Sequence, residues 1–491
     1  MSTTTLTRAR SQAPVLDFNL LARGFLYFFF VCIIVAPFTP DPIPMIGGAI
    51  VPYMVLRIVN TPTMPVAVVY LFLWQWMQIF TRVLQGWVDG EALAKGLYGP
   101  NVERAYWYML GGIIVLALCF RLVLGNLRPA TVQERTAHLA WQRNDLLLLY
   151  IGALIASTVF AGAAQAVSGL AQPLGAVSQL KVVAIFILFT TVMSTGRGHN
   201  MLLGVILFEI AVGFTGFLSD FRSVFIFLGI SALAARIRWT WTMGITGLAA
   251  AGALIALALF WTSVKQDYRV YVAQSDESQA IKVPLGERMA YLGEKFLSPG
   301  AIDLKSTSYM LLNRLAYVDI FGSVIDIQEA APEPIPMRQW VEAMSHVTMP
   351  RFLFPGKPPL LDSEVYMRLA RRFSTEGEVR AGTSISVGYM AENFADLGVP
   401  GMFVGIAVMG LLLAGSVRIL MNFKLPMIMR QGLVMAFCFM MSRDGVEVSL
   451  PKILGAMTMF MIMFLIMNKF LFPRVVKLLD DRGAAARLKT L

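Results

Sequence analysis

The sequence predicts an all-α integral membrane protein of about twelve transmembrane helices, with a large helical outer loop between the ninth and tenth spans. Two observations carry this. Apolar residues make up 57% of the 491-residue chain and charged ones 14%, with 33 Phe and 29 Met, too hydrophobic a balance for a soluble chain of this length. The apolar residues also fall into separate runs of roughly membrane-spanning length, divided by short polar stretches rich in Pro, Gly, Arg and Lys.

The first span follows Arg8, Arg10 and Arg23 and runs from Gly24 to Pro37, extended from Phe18 with Arg23 reaching back to the interface. It resembles a secretory signal, but no small-residue cleavage site follows, so it reads as uncleaved. Further spans are expected at Met45 to Ile58, Met64 to Phe80, Tyr106 to Leu124, Leu146 to Ala163, Val177 to Met193, Met201 to Leu218, Phe221 to Ala235 and Trp239 to Thr262. After the loop come Gly401 to Leu420, Met427 to Met441 and Ile453 to Phe472. The resulting divisions are a membrane region 1–263, an outer loop 264–399, a second membrane region 400–473 and a basic tail 474–491.

Lys and Arg in alternate short loops set orientation. One parity set collects them: the N-terminus, Arg57, Arg121 to Arg143, Arg197, Arg236 with Arg238, Arg418 with Lys424 and Arg430, and the C-terminal tail. That set is expected in the cytoplasm, so both termini lie there and the chain is a multi-pass protein of the cytoplasmic (inner) membrane. The other set, including 264–399, faces outward. Because most of the net charge of +11 sits beside apolar runs, it reads as a topology signal and not as a nucleic-acid surface. Cys32, Cys119 and Cys438 lie far apart in or beside apolar spans and form neither a disulfide framework nor a metal spacing. No phosphate-binding Gly-rich loop and no dinucleotide fingerprint is found, so no cofactor and no metal are expected.

The outer loop carries helical spacing at Tyr309, Leu312, Leu315, Ala316 and Phe321 and is expected to fold as a cap of short helices. Within it, Phe352, Leu353 and Phe354 form an apolar run that is expected to bury itself, drawing Arg351 and Lys357 toward the membrane surface. Arg222, Arg351, Lys357 and Arg443 then form a set of cations at one interface, suited to a diphosphate because guanidinium forks hold phosphate oxygens and stay charged. Each can instead anchor a span at the headgroup layer. Lys181 reads more readily as a residue reaching to the interface than as a ligand. His346 is the outward imidazole and Glu392 its rival for proton transfer; a hydrogen-bonded loop residue is the alternative for each.

The stretches GFLSDFRSV, MPRFLFPGKP and TSISVGYMAENFADLGVPG, spread over residues 200–420, resemble the oligosaccharide repeat-unit polymerases of O-antigen and exopolysaccharide synthesis, the Wzy class. A second, regularly spaced arginine motif in an earlier outer loop is not found. The resemblance implies a metal-independent glycosyltransferase that joins undecaprenyl-diphosphate-linked oligosaccharide units at the outer face. It also implies Arg222, Arg351 and Lys357 as diphosphate and substrate contacts and Glu392 as a site residue. Membrane lipid, chain-length regulators and export proteins are its expected further partners. Such a donor already carries a good leaving group, so cations to neutralise the departing charge plus one base are sufficient parts. The competing readings are an O-antigen ligase acting on a lipid core, a transporter of polysaccharide or lipid-linked sugar, and a non-catalytic scaffold.

Overall fold

The computed structural model describes residues 14–96, 99–216, 220–274, 282–298, 303–332, 335–349, 353–354, 356–357, 362–370, 385–443 and 445–490. Among them every regular element is helical, apart from one isolated bridge between Val15 and Arg238. The first half comprises α1 (Phe18–Val35), α2 (Pro42–Val59), α3 (Val68–Asp89), α4 (Pro100–Leu124), α5 (Val132–Thr136), α6 (Arg143–Ala166), α7 (Ala171–Ser178), α8 (Leu180–Thr195), α9 (His199–Thr215), α10 (Arg222–Ala234) and α11 (Trp241–Ala273). The cap comprises α12 (Leu285–Leu297), α13 (Leu304–Leu315), α14 (Val318–Ala330), α15 (Arg338–Thr348) and α16 (Asp362–Leu369). The chain closes with α17 (Tyr389–Met421), α18 (Met427–Ser442), α19 (Leu450–Phe470) and α20 (Phe472–Thr490).

Local chemistry fixes the ends. Asp17 accepts from the Leu20 N–H at 2.9 Å to start α1, and Thr131 with Glu134 makes a reciprocal capping box at α5. Gly90 and Gly196 stop α3 and α8 with φ of +69° and +65°, a region glycine enters without a Cβ clash. Inside α17 the helix breaks at Gly398 (φ +59°), ahead of Pro400, which lacks the N–H that would continue it.

Among the described residues eight helical segments are long and apolar enough to cross a membrane, so the chain is a multi-pass helical membrane protein. That is fewer than the twelve expected spans. The other four expected spans correspond to α3, α9, α10 and α18. The last three measure about 20 to 26 Å at 1.5 Å per residue, against about 30 Å of hydrocarbon. The fourth, α3, buries Gln75, Gln78, Arg82 and Gln85 among its apolar residues, which dilutes its hydropathy.

The hub of the bundle is α8, where every residue from Val182 to Val192 is buried, as a helix apolar on all sides must be. It packs against α6, α10 and α18. At the periphery α11 exposes most of its apolar run, including Trp241, Ile245, Leu248 and Ile255. It is about 50 Å long, so it continues past the expected end at Thr262 through Lys265, Asp267 and Arg269. Likewise α17 starts at Tyr389, before its break, so the cap between these two helices is shorter at both ends than the expected 264–399. The basic tail forms α20, which contacts α19.

Polar contacts between distant segments sort by parity. On one side Arg82 pairs with Asp319 at 3.0 Å, Arg104 with Glu329 at 2.7 Å, and Gln78 Nε2 donates to Glu447 at 3.0 Å. On the other, Arg482 pairs with Asp145 at 2.8 Å, Arg430 with Glu134 at 3.3 Å, and Arg418 donates to the Val123 carbonyl at 3.0 Å. Each contact joins two segments of the same alternating set, so the loops gather into two opposite faces.

The apolar run of the cap does not bury as expected. Leu353 is 64% and Phe354 43% exposed, while Phe352 and Arg351 lie outside the described residues.

Candidate functional site

The described part of the GFLSDFRSV motif, Gly216 and Asp220 to Val224, lies where the end of α9 meets the start of α10. The Asp220 N–H donates to the Gly213 carbonyl at 2.9 Å, the Ser223 hydroxyl donates to the Asp220 carbonyl at 2.7 Å, and Phe214 stacks on Phe221 with centroids 4.2 Å apart. A side chain at position 213 would meet the Phe221 backbone at 2.7 Å, so the two helix ends approach this closely only over glycine. This sets Arg222 as the first residue of α10. Its guanidinium lies 5.0 Å from the Trp74 ring centroid on α3, and its Nη2 donates to the main-chain oxygen of Arg443 at 3.5 Å.

Around this meeting point sits a cluster of charge. Burial pushes the Asp220 carboxyl above the usual carboxylate range, and Arg443, Arg222 and Lys181 offset this by pulling it back down. With Lys181 matched by Glu209, Arg222 and Arg443 against Asp220 leave one cation in excess among the described residues. Lys181 itself is held from the membrane side. Its Nζ pairs with Glu209 Oε2 at 2.6 Å, and Tyr150 donates to Glu209 Oε1 at 2.6 Å, tying α8, α9 and α6 together through a carboxylate only 6% exposed.

Glu392 occupies a second polar centre on the same side. It is buried at 2% exposure, and its Oε2 accepts from the Leu450 N–H at 2.6 Å at the first residue of α19, where the helix dipole favours a carboxylate. The same first turn supplies Ser449, which donates to Asp362 Oδ1 at 3.1 Å, and Lys452, which pairs with Asp362 Oδ2 at 2.5 Å. The cap is locked onto this centre by Asp396, whose carboxylate accepts from the backbone N–H groups of Gln339 and Trp340 at 3.1 and 2.9 Å, and by Trp340 Nε1 donating to Asn393 at 3.0 Å. Tyr317 donates to the Ser386 carbonyl, and burial raises its hydroxyl well above the usual range.

The two centres are joined by one short connector. Between Arg443 and Leu450 the chain spans at most about 25 Å even fully extended. It is shortened by the 3₁₀ turn Gly445–Glu447, which Gln78 pins by accepting from the Val446 N–H at 2.9 Å. Moving this connector moves both.

Of the residues expected from sequence, Arg222 and Arg443 are therefore brought together, and Glu392 lies one short connector away. His346 sits in the last turn of α15, its Cδ2 3.8 Å from where a Cβ on Gly455 of α19 would stand, so it and Glu392 pack on the same helix. Lys357 does not reach the cation cluster: its ammonium donates to the carbonyls of His346 and Met349, closing the C-terminus of α15. Arg351 lies outside the described residues.

Sequence reading missed Asp220, Trp74, Asp362 and Lys452, and it read Lys181 as a residue reaching to the interface without its partners Glu209 and Tyr150. Glu209 carried a usable signal, since an acid inside an apolar helix demands a partner. Trp74 and Asp362 carried none, being ordinary residue types for their segments. Among the described residues no group of three His, Cys, Asp or Glu side chains is placed to hold a metal ion. No protein-family model, characterised protein or solved structure matches the chain.

Proposed function

We propose that the chain is a polysaccharide polymerase: a metal-independent glycosyltransferase that joins undecaprenyl-diphosphate-linked oligosaccharide units at the outer face of the cytoplasmic membrane. The observation that supports this best is the meeting of Arg222 and Arg443 at Asp220, one short connector from the buried carboxylate of Glu392. In this reading α3, α9, α10 and α18 join the eight long segments to give twelve spans, and the cap between α11 and α17 is the outer loop. Both termini are then cytoplasmic, as the Lys and Arg parity requires.

Transfer needs an acceptor hydroxyl to attack the anomeric carbon of the donor sugar while the bond from that carbon to the diphosphate oxygen breaks. Undecaprenyl diphosphate departs with the electron pair, and the hydroxyl proton passes to a base. The guanidinium groups of Arg222 and Arg443 hold the departing diphosphate and stabilise charge that grows in the transition state. Glu392 on α17, with His346 on α15 as the rival packed against the same α19, takes the proton. Two guanidinium groups against one carboxylate offer the departing diphosphate a positive locus, and charge stabilisation of this kind is usually the largest single contribution to catalysis.

The test is reconstitution of the full chain in liposomes with a lipid-linked repeat unit. A ladder of products, each one repeat longer, supports the polymerase. Transfer only to an added lipid core identifies a ligase. Movement across the bilayer with no new bond identifies a transporter, for which the buried Lys181–Glu209 pair would be the natural coupling group.

A further inference from the structure

The cap-side end of α11 carries a second group of cations, which the transfer chemistry above does not use. Lys265 and Arg269 lie one helical turn apart, so they share a face of α11, and both are half-buried. Against α11 packs α13, whose last turn holds the exposed Arg314. The charges that act on Lys265 are those of Arg314 and Arg269, both of its own sign, and Arg269 is acted on by Arg314 in turn. Asp267, offset by two residues, stands on the opposite side of the helix and acts on Tyr291 of α12 instead. Lys265 and Arg314 form no ion pair among the described residues.

Depth in the bilayer identifies the anion that can reach this group. Along α11 about 30 Å separates Trp241 from Trp261, the thickness of the hydrocarbon layer, whose two edges aromatic residues favour. Lys265 then stands about 6 Å beyond Trp261, inside a headgroup layer about 5 to 8 Å thick. The neighbouring helix α12 gives the same level independently. Its Phe296 ring packs on Phe260 of α11 with centroids 5.3 Å apart yet stays 58% exposed, and Leu285 and Met289 on the same flank are exposed as well. An apolar edge at that height meets acyl chains. Most of the apolar run of α11 is exposed too, so a lipid reaches the cations without parting any helices.

We propose that Lys265 and Arg314, with Arg269 adding its field, bind the phosphate oxygens of a lipid headgroup in the leaflet on the cap side, carried by an anionic phospholipid or by a lipid-linked diphosphate. The like charges repel one another until an anion joins them, so binding gains the relief of that repulsion as well as the new contacts. The site is distinct from the Arg222–Arg443 cluster. The Phe214 ring contacts both Phe221, the neighbour of Arg222, and Trp261, one turn before Lys265, so an aromatic group stands between the two loci.

The experiment uses the purified full chain and needs no transfer, so the site stands or falls apart from the polymerase reading. Native mass spectrometry counts the lipid retained from an equimolar mixture of phosphatidylcholine, phosphatidylglycerol and undecaprenyl diphosphate. The parent is expected to retain anionic lipid in preference to phosphatidylcholine, and Lys265→Gln/Arg314→Gln to lower that retention roughly tenfold, the usual result of losing a charge-assisted contact. Lys305→Gln, at the other end of α13, removes a charge from the same helix and should retain lipid as the parent does. Arg222→Ala is carried alongside, so that lipid held at the Arg222–Arg443 cluster is counted apart. Loss confined to phosphatidylglycerol assigns the site to phospholipid, loss confined to the diphosphate assigns it to lipid-linked sugar carriers, and loss of both assigns it to the phosphate they share. Arg314→Gln alone alters only an exposed side chain, so it serves if the double variant does not fold. Equal retention of both anionic lipids by parent and variants, or an equal fall in Lys305→Gln, overturns the proposal.

Discussion

The Arg222 guanidinium is held over Trp74 at 5.0 Å while one of its nitrogens reaches the Arg443 carbonyl, so the start of α10, the end of α18 and the body of α3 meet at a single side chain. A cation stacked on an indole is worth about 1 kcal/mol or more when partly desolvated, and the stack fixes the plane of the fork. A flexible ammonium at this position keeps the charge and loses the plane. Arg222 and Arg443 are 221 residues apart, yet the connector after Arg443 makes their separation a property of the fold.

From that geometry Arg222→Ala is expected to lower polymerisation about a hundredfold, the usual consequence of removing one charge-stabilising donor, at unchanged protein level in the membrane. Arg222→Lys should recover only part of this, and Trp74→Ala should reduce activity by roughly tenfold through loss of orientation. Glycan chain length at matched expression is the measurement. Normal chains in Arg222→Ala would assign the residue to anchoring.

The buried pair Lys181–Glu209 makes a different prediction, about stability. Removing either partner leaves the other charge buried without compensation, a loss of about 3 to 5 kcal/mol for a well-buried pair and toward the lower end here because Lys181 remains partly exposed. Lys181→Met and Glu209→Gln should each lower the thermal midpoint in detergent. The double variant Lys181→Met/Glu209→Leu should recover most of the loss, since an apolar pair of similar volume needs no desolvation. Additive losses in the double variant would show that the two side chains do not act as a pair.

How far the sequence alone reveals this arrangement depends on whether neighbouring residues or distant ones supply the cause. The hub α8 is legible because a run such as KVVAIFILFTTV is apolar on every face and has nowhere to go but the centre. Orientation classes are legible because Lys and Arg accumulate in alternate loops, and the sorting of Arg82–Asp319 and Arg482–Asp145 onto opposite faces follows that alternation. Helix lengths are less so. Nothing in the apolarity of α11 predicts that it continues through Lys265 and Arg269, because an isolated charged turn costs little once it leaves the bilayer. Pairings are least legible of all. Lys357 shares its charge with Arg222, but its position beside the end of α15 gives it two carbonyls to satisfy.

Glu392 offers a test of proton transfer that preserves shape. In Glu392→Gln the amide oxygen can still accept from the Leu450 N–H, so the start of α19 and its packing are retained while the charge and the base are lost. Activity should fall at least a hundredfold with protein level unchanged. His346→Gln in parallel separates the two candidates. The variant that abolishes transfer while the other leaves it within a few-fold identifies the base, and near-normal activity in both would require a base elsewhere.

Sidedness decides whether these centres face lipid-linked sugar at all, and the fold makes it accessible to labelling. The three natural cysteines, Cys32, Cys119 and Cys438, are buried, so a membrane-impermeant thiol reagent should meet little background in intact cells. Ser345 is exposed in α15 of the cap, and Gln133 is exposed in α5 on the opposite face, beside the Arg430–Glu134 pair. Positive residues gather on the second face, which by the charge rule is expected in the cytoplasm. Ser345→Cys should therefore label before permeabilisation and Gln133→Cys only after it. The reverse pattern would place Arg222, Arg443 and Glu392 in the cytoplasm, away from the face on which repeat units are joined, and the polymerase reading would fail there with the helical architecture intact.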